Sequence, residues 1–147
     1  MNLVLPGRTR LMNEHFLPDS DLAQIRLLIV EDDPFLQSYL SEILLDYPLQ
    51  VFIADSINEA VSFYVIKQPD ILLMESYFSF ANDPAIEKKI AAGNLQIITI
   101  TDNKVDSRFS SSRPTTISYL TKPLVPCEVT RVVMNLAESI VLKKILG

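Results

Sequence analysis

Short apolar segments alternate with segments of helical periodicity along most of this chain, and this alternation constrains the fold more than any other feature. Each apolar segment is rich in Leu, Ile or Val and is bounded by turn or helix-start residues, which predicts a buried strand. Strands alternating with helices favour a parallel sheet covered by helices on both faces, a doubly wound α/β fold. The five predicted strands are 25–30, 50–54, 69–75, 95–101 and 116–120.

Capping residues mark the first two predicted helices. Asp33 is an N-cap residue, and Pro34 fits the first helical turn, where a missing N–H costs nothing. Ser56 and Glu59 have the spacing of a capping box, in which both side chains satisfy end N–H groups of a helix that runs to about Lys67. The apolar face of the first helix consists of Phe35, Leu36, Tyr39, Leu40, Ile43 and Leu44.

Two further helices are predicted in the second half. Asp83 and Pro84 repeat the cap signal, and Gly93 ends this short helix because glycine tolerates positive φ. The last helix begins near Pro126. Its inner face is predicted to consist of Val129, Val132, Val133, Leu136 and Ile140.

The chain is expected to form one domain with an N-terminal extension. At 147 residues and 48% hydrophobic content it can bury a substantial core. Residues 1–24 have no clean period and are assigned to the extension, with room for one short helix, and residues 25–147 to the domain. His15, the only histidine, falls in the extension without partner ligands at metal-site spacing.

Composition excludes several functions for this domain. The net charge of -5 and the isoelectric point near 4.8 argue against nucleic-acid binding, which needs a basic face. No apolar run reaches the length of a membrane span, and Pro6 and Gly7 interrupt the N-terminal apolar stretch, so neither a membrane segment nor a signal peptide is expected. Cys127 is the single cysteine, which rules out an internal disulfide and indicates a reducing, cytoplasmic location.

Polar residues follow four of the five predicted strands. Glu31 and Asp32 follow the first strand, Glu75 ends the third, Thr101 ends the fourth and Lys122 follows the fifth. Because ligands of open parallel sheets collect beyond the carboxyl ends of the strands, these residues are expected to lie close together. Carboxylates suit Mg²⁺, while a hydroxyl and an ammonium donate to phosphate oxygens, so the set suits Mg²⁺-assisted phosphoryl transfer.

Three segments carry a family resemblance. An apolar strand runs into three acids at 27–34, a buried strand ends in an acid at 69–75, and a strand ends in Lys-Pro at 118–123. In this order they resemble the receiver domain of bacterial two-component response regulators, over roughly residues 25–146. The resemblance implies a flavodoxin-like sheet of order 2-1-3-4-5 and no enzymatic role.

The resemblance also implies roles for site residues. The phosphate-accepting aspartate of the family falls on Glu75, Thr101 takes the place of the switch hydroxyl, and Tyr119 that of the switch aromatic. Lys122 would hold phosphate. Weakly bound Mg²⁺ would be held by the carboxylates Glu31, Asp32 and Glu75, the alternative being no cofactor.

Three departures from the family pattern bear on function. Glu75 carries its carboxylate about 1.5 Å further from the backbone than aspartate would, and a 1 Å error in a reactive geometry costs on the order of 10²-fold. The longer side chain can instead reach Lys122. Residues 76–80, with Tyr77, Phe78 and Phe80, replace the usual Pro- and Gly-containing loop, and the stretch 102–115 is remodelled.

The leading hypothesis is a pseudo-receiver that acts through protein contacts without using phosphate. The alternative is a working Mg²⁺-dependent phosphoacceptor that uses Glu75 or Ser76, whether as a stand-alone module or as the front of a longer regulator with an output domain. An enzyme or nucleotide-binding domain would need a Gly-rich turn after a strand, and none follows the first.

Expected partners are a histidine kinase or a downstream effector. A homodimer is also expected, by resemblance, through the helix between strands four and five (the fourth of the pattern), the fifth strand and the last helix. No membrane partner is expected.

Overall fold

In the computed structural model, residues 17–75, 95–102 and 117–147 are described, together with residues 84, 88 and 92. The predicted strand limits agree with these elements to within about two residues. The elements are α1 (Asp19–Leu22), β1 (Arg26–Val30), α2 (Pro34–Leu44), β2 (Gln50–Ala54), α3 (Ile57–Lys67), β3 (Ile71–Glu75), β4 (Gln96–Thr101), β5 (Ile117–Thr121) and α4 (Pro126–Leu146).

The strands form one parallel sheet of order β2-β1-β3-β4-β5, so the predicted doubly wound, flavodoxin-like topology is confirmed. The register fixes the carboxyl edge: Val30 of β1 lies beside Met74 of β3, and Glu75 lies beside Ile100 of β4. Thr101 in turn pairs with Thr121 of β5. Strands β1, β3, β4 and β5 therefore end at nearly the same level.

Helices cover both faces of this sheet. Leu40 and Leu44 of α2 and Val133 of α4 pack on one face, together with alternate residues of the strands such as Ile29. On the other face, α3 packs through its buried residues, among them Tyr64. The strands are buried from both sides, which explains why they are almost continuously apolar.

The predicted helix caps are present. The Asp33 carboxylate accepts a hydrogen bond from the Phe35 N–H at 2.9 Å. The Ser56 hydroxyl accepts one from the Glu59 N–H at 3.1 Å, and the Glu59 carboxylate accepts one from the Asp55 N–H at 2.8 Å. In the capping box, the returning bond thus reaches the residue before the cap.

The inner face of α4 differs in part from the prediction. Val129 and Val133 are buried, whereas Val132, Leu136 and Ile140 are partly buried at its margin. The apolar pattern did not reveal this because the buried stripe includes small and polar residues. Its additional members are Thr130, Met134, Ala137 and Val141.

The helix α1 lies in the predicted extension, yet Leu22 is fully buried in the main core and α1 contacts α4. The boundary at residue 25 stays a prediction, but residues 19–22 pack with the domain. Nearly all of the helix expected from Asp83 to Gly93 lies outside the described residues, as does His15. None of the helices within the described ranges combines the length and apolar character needed to span a membrane.

Candidate functional site at the carboxyl edge of the sheet

The parallel register brings the predicted site residues of β1, β3, β4 and β5 to one edge. Glu31 follows Val30, the neighbour of Met74, so that Glu31 and Glu75 end adjacent strands at the same level. Lys122 follows Thr121, the partner of Thr101. The Lys122 N–H also donates a hydrogen bond to the Thr101 carbonyl at 2.9 Å, which fixes the start of the loop after β5.

The Glu75 carboxylate is bound directly by Lys122. The distance from Lys122 Nζ to Glu75 Oε1 is 2.9 Å, and 12% of the Glu75 side chain and 35% of the Lys122 side chain remain exposed. The hydrogen bond to Glu75 is the main reason why the pKa of Lys122 is raised, against an opposing effect of partial burial. The predicted contact between these two residues is therefore present.

Asp102 also contacts this lysine, although sequence reasoning did not assign it to the site. Its Oδ1 lies 3.7 Å from Lys122 Nζ, and 81% of its side chain is exposed. It follows Thr101, so the rule that selected acids after strand ends would have found it. The carboxylate adds a second negative group beside Lys122.

Glu31 is the most deeply buried acid of the site, with 2% of its surface exposed. Its Oε2 accepts a hydrogen bond from the Asp33 N–H at 2.9 Å, its Oε1 is shielded from solvent, and its side chain also forms a hydrogen bond with that of Asp32. The Gln37 side-chain amide donates to the Glu31 carbonyl, which ties this loop to α2.

Burial raises the pKa of Glu31 to about 7. The Asp33 N–H opposes this shift, whereas the negative charge of Glu75, a side-chain hydrogen bond with Asp32 and the charge of Asp32 add to it. The expectation that one acid of the cluster is pushed toward protonation agrees with this direction. The expected cause was repulsion between the acids. In the structure, the loss of solvent around Glu31 raises its pKa more than that repulsion does.

Thr101 and Tyr119 lie toward the face of the sheet that α3 covers, opposite to the face that α2 and α4 cover. Side chains alternate along a strand, and Ile97 and Ile117, at even spacing from these two residues, pack in the core on the α3 side. Thr101 is buried, and the hydroxyl oxygen of Tyr119 is also shielded from solvent. The two predicted switch positions thus share one face, and their switch role stays a prediction.

Within the described residues, the acids do not form a metal site of three carboxylates. Among the described residues, no group of three or more His, Cys, Asp or Glu side chains could hold a metal ion. The Glu75 carboxylate is bound to Lys122, and one oxygen of Glu31 accepts the Asp33 N–H. The predicted weak Mg²⁺ site of Glu31, Asp32 and Glu75 stays a prediction without support from this geometry.

An open groove of about 900 Å³ adjoins the site between α2 and the loop after β5. Phe35 is 87% exposed there, and the Tyr39 hydroxyl donates to the Leu124 carbonyl at 3.1 Å, bridging the two walls. Both residues belong to the apolar face that the sequence predicts for this helix. The groove is lined by Asp33, Phe35, Leu36, Tyr39, Lys122, Pro123 and Leu124.

Two predicted features of the site fall outside the described residues. The loop 76–80, with Ser76 and the aromatic residues, is one of them, and the stretch 103–115 is the other. Their predicted roles stay predictions.

Solved structures that are similar to this chain include receiver domains and response regulators. A two-component transcriptional regulator AraC from Clostridium phytofermentans ISDg has a TM-score of 0.68 and 16% identity, over 84% of this chain and 99% of that one. A CheY-like response regulator receiver domain protein from Methanospirillum hungatei JF-1 has a TM-score of 0.65 and 18% identity, over 82% and 98%.

A third similar structure was solved with a metal ion. The receiver domain of a sensor histidine kinase from Pseudomonas aeruginosa, with magnesium coordinated in its active-site cleft, has a TM-score of 0.59 and 22% identity, over 78% of this chain and 98% of that one. No protein-family model and no curated protein matches this sequence. At these identities, the likeness establishes that the chain has the receiver fold.

Proposed function

We propose that this chain is a non-enzymatic, receiver-like module of a two-component or phosphorelay system that signals in the cytoplasm without being phosphorylated. It acts through contacts with another signalling protein, either a histidine kinase or a downstream effector. The homodimer expected through β5, the last helix and the helix before β5 remains part of this proposal. The receiver fold of the solved structures supports the class of module.

One observation carries the claim that phosphate is not used: Lys122 Nζ binds Glu75 Oε1 at 2.9 Å. The ammonium that would hold phosphate oxygens is thus bound by the acid at the phosphoacceptor position. Glutamate has one more methylene than aspartate, and this length lets its carboxylate occupy the space beside the lysine. Attachment of a phosphoryl group to Glu75 would require this charge-assisted hydrogen bond to break first.

Negative charge near Lys122 reinforces this argument. Asp102 lies 3.7 Å from Lys122 Nζ, and Glu31 also acts on the lysine electrostatically. An incoming phosphodonor is an anion, and among the described residues it would meet the carboxyl groups of Glu31, Glu75 and Asp102 around the ammonium of Lys122. Like charges at such short distances cost a few kcal/mol at an effective dielectric of about 20.

The test is treatment of the full chain with acetyl phosphate and Mg²⁺, followed by intact-mass measurement and peptide mapping. We expect no covalent phosphoryl adduct on the wild-type chain. Glu75→Asp shortens the carboxylate and releases Lys122, so we expect this variant to be labelled at position 75. The matched control Glu75→Asn has the shorter side chain without a nucleophilic oxygen and should stay unlabelled.

A stable adduct at Glu75 of the wild type would overturn the proposal. It would support the second candidate, a working phosphoacceptor, which is favoured by the convergence of Glu75 and Lys122 at one edge of the sheet. An adduct at Ser76 would also support that candidate, with a different acceptor. The presence of an adduct and the residue that carries it therefore distinguish the two candidate functions.

A further inference from the structure

The last turns of α4 present an apolar stripe to solvent. The stripe consists of Leu142, Ile145 and Leu146, whose i, i+3, i+4 spacing places them on one face of the helix. These side chains are 44%, 60% and 82% exposed, although large apolar side chains gain from burial. Three of them side by side favour an apolar partner.

The stripe lies at the amino edge of the sheet. Lys144, within the same turn of α4, has its Nζ 3.8 Å from Asp70 Oδ1. The other oxygen of Asp70 accepts a hydrogen bond from the Arg26 N–H at 2.9 Å, and Arg26 begins β1. The stripe is therefore close to the start of β1, at the end of the sheet opposite to Glu75 and Lys122.

The N-terminal extension joins the domain at this same end. Leu17 packs against the main core, and α1, which follows it, contacts α4 before the chain enters β1. Residues 1–16 precede this attachment and lie outside the described residues. Sixteen residues can span up to about 50 Å, whereas the 21 residues of α4 are about 30 Å long. The segment 1–16 is therefore long enough to reach the stripe.

The composition of the segment 1–16 suits an apolar contact on an acidic domain. It has two arginines and one glutamate, so it is positively charged within a chain whose net charge is -5. The remainder of the chain therefore attracts it. Its large apolar residues after Met1 are Leu3, Val4, Leu5, Leu11, Met12 and Phe16.

We propose that residues 1–16 dock on the stripe formed by Leu142, Ile145 and Leu146 of their own chain. The docked segment shields the apolar end of the last helix from other proteins. This inference goes beyond the proposed function, because it assigns a role to the extension and involves neither Glu75 nor Lys122.

The covalent connection argues for this occupant over a second copy of the chain. A segment joined to its docking surface by a short linker is present there at an effective concentration on the order of millimolar. A second copy reaches that concentration only in a millimolar solution of the protein. Two copies also repel each other at long range, because each has a net charge of -5.

The test places a spin label in the segment and follows the amide signals of the isotope-labelled full chain. Cys127→Ser removes the only cysteine, and Asn2→Cys provides the site for a nitroxide label far from the attachment at Leu17. We expect the signals of Leu142, Ile145 and Leu146 to lose most of their intensity through paramagnetic broadening. Ile66, an exposed apolar residue of α3, should keep its intensity.

A matched pair of variants distinguishes docking from chance proximity of the label. Ile145→Asn removes an exposed apolar side chain from the stripe and should weaken docking about tenfold, so that Leu142 and Leu146 recover most of their intensity. Ile66→Asn makes the same change on α3 and should leave the broadening as it is. Equal broadening in Ile145→Asn and Ile66→Asn would overturn the proposal.

A mixed sample identifies the occupant. Isotope-labelled chain without a nitroxide is mixed with nitroxide-labelled chain of natural isotope content, and the signals of the stripe should keep their intensity. Broadening in this mixture would overturn the proposal, because it would identify a second copy as the occupant.

Two further results of the first experiment would also contradict the proposal. One is full intensity at Leu142, Ile145 and Leu146, and the other is broadening confined to a different surface, such as the groove at Phe35. Neither result involves a phosphodonor. Failure of the docking proposal would therefore leave the proposed function standing, and labelling of Glu75 by acetyl phosphate would leave the docking result valid.

Discussion

Two glutamates end neighbouring strands at the same level of the sheet, yet their surroundings differ. Glu75, the last residue of β3, has Lys122 at 2.9 Å, whereas Glu31, the residue after β1, is almost fully buried and forms no ion pair with the residues that the structure describes. The pKa of Glu31 is accordingly raised to about 7. The reach of a single lysine thus divides this acidic edge into an ion pair and a carboxyl group whose pKa lies near neutral pH.

The largest expected effect comes from replacing the glutamate without a cation. Since the folded-state pKa of Glu31 is raised from 4.5 to about 7, its contribution to stability is fully present below about pH 4.5 and is lost as the pH rises through 7. The loss is on the order of 3 kcal/mol. Glu31→Gln removes this pH dependence. The unfolding free energy of the variant minus that of the wild type should therefore be larger at pH 8 than at pH 5.

Urea unfolding at the two pH values measures this difference. Gln can still accept the Asp33 N–H through its amide oxygen, so the bond that orders the loop after β1 is retained. The exposed Glu42→Gln on α2 is the control and should parallel the wild type. If Glu31→Gln also parallels the wild type, Glu31 is not protonated near neutral pH, and the contrast between the two glutamates is wrong.

The second-largest expected change in stability comes from removing the cation that binds Glu75. Lys122→Met keeps the length of the side chain but leaves the Glu75 carboxylate without its cation. Because about a third of Lys122 stays in water, we expect a loss of about 1–2 kcal/mol in unfolding free energy at pH 7, less than for a fully buried pair. The variant makes the surroundings of the two glutamates more alike.

A double variant distinguishes the value of the pair from the cost of an unpaired charge. Glu75→Met combined with Lys122→Met removes both charges and should recover most of the loss. Lys144→Met removes a more exposed and longer contact, 3.8 Å to Asp70, and should cost less than about 0.5 kcal/mol. A double variant as unstable as Lys122→Met would contradict the interpretation.

The local sequence predicts the fold well because its signals are local. The caps at Asp33 and Ser56 and the apolar strands between them act within a few residues, and the register follows once parallel pairing is assumed. Convergence of Glu31, Glu75 and Lys122 follows from the same rule. The contact of Lys122 with Glu75 was predictable from the extra methylene of the acid.

Features that depend on packing between distant segments were not predictable. Leu22 is buried because α1 packs against α4, and the hydrophobic pattern of the extension does not predict that contact. The pKa of Glu31 depends on how completely the surrounding elements exclude water, which charge counting alone does not give. The groove at Phe35 exists because the loop after β5 faces α2 across a gap, a distance that a sequence does not encode.

The smallest expected effect comes from Asp102, which shares the lysine with Glu75 at a longer distance. At 3.7 Å, and with 81% of its side chain exposed, Asp102 should contribute at most about 0.5 kcal/mol to stability. Asp102→Asn should therefore leave urea unfolding almost unchanged at low salt and unchanged at 1 M salt, where charges at the surface are screened. A loss as large as that of Lys122→Met would mean that Lys122 belongs as much to Asp102 as to Glu75, and the division of the edge into one pair and one isolated acid would not hold.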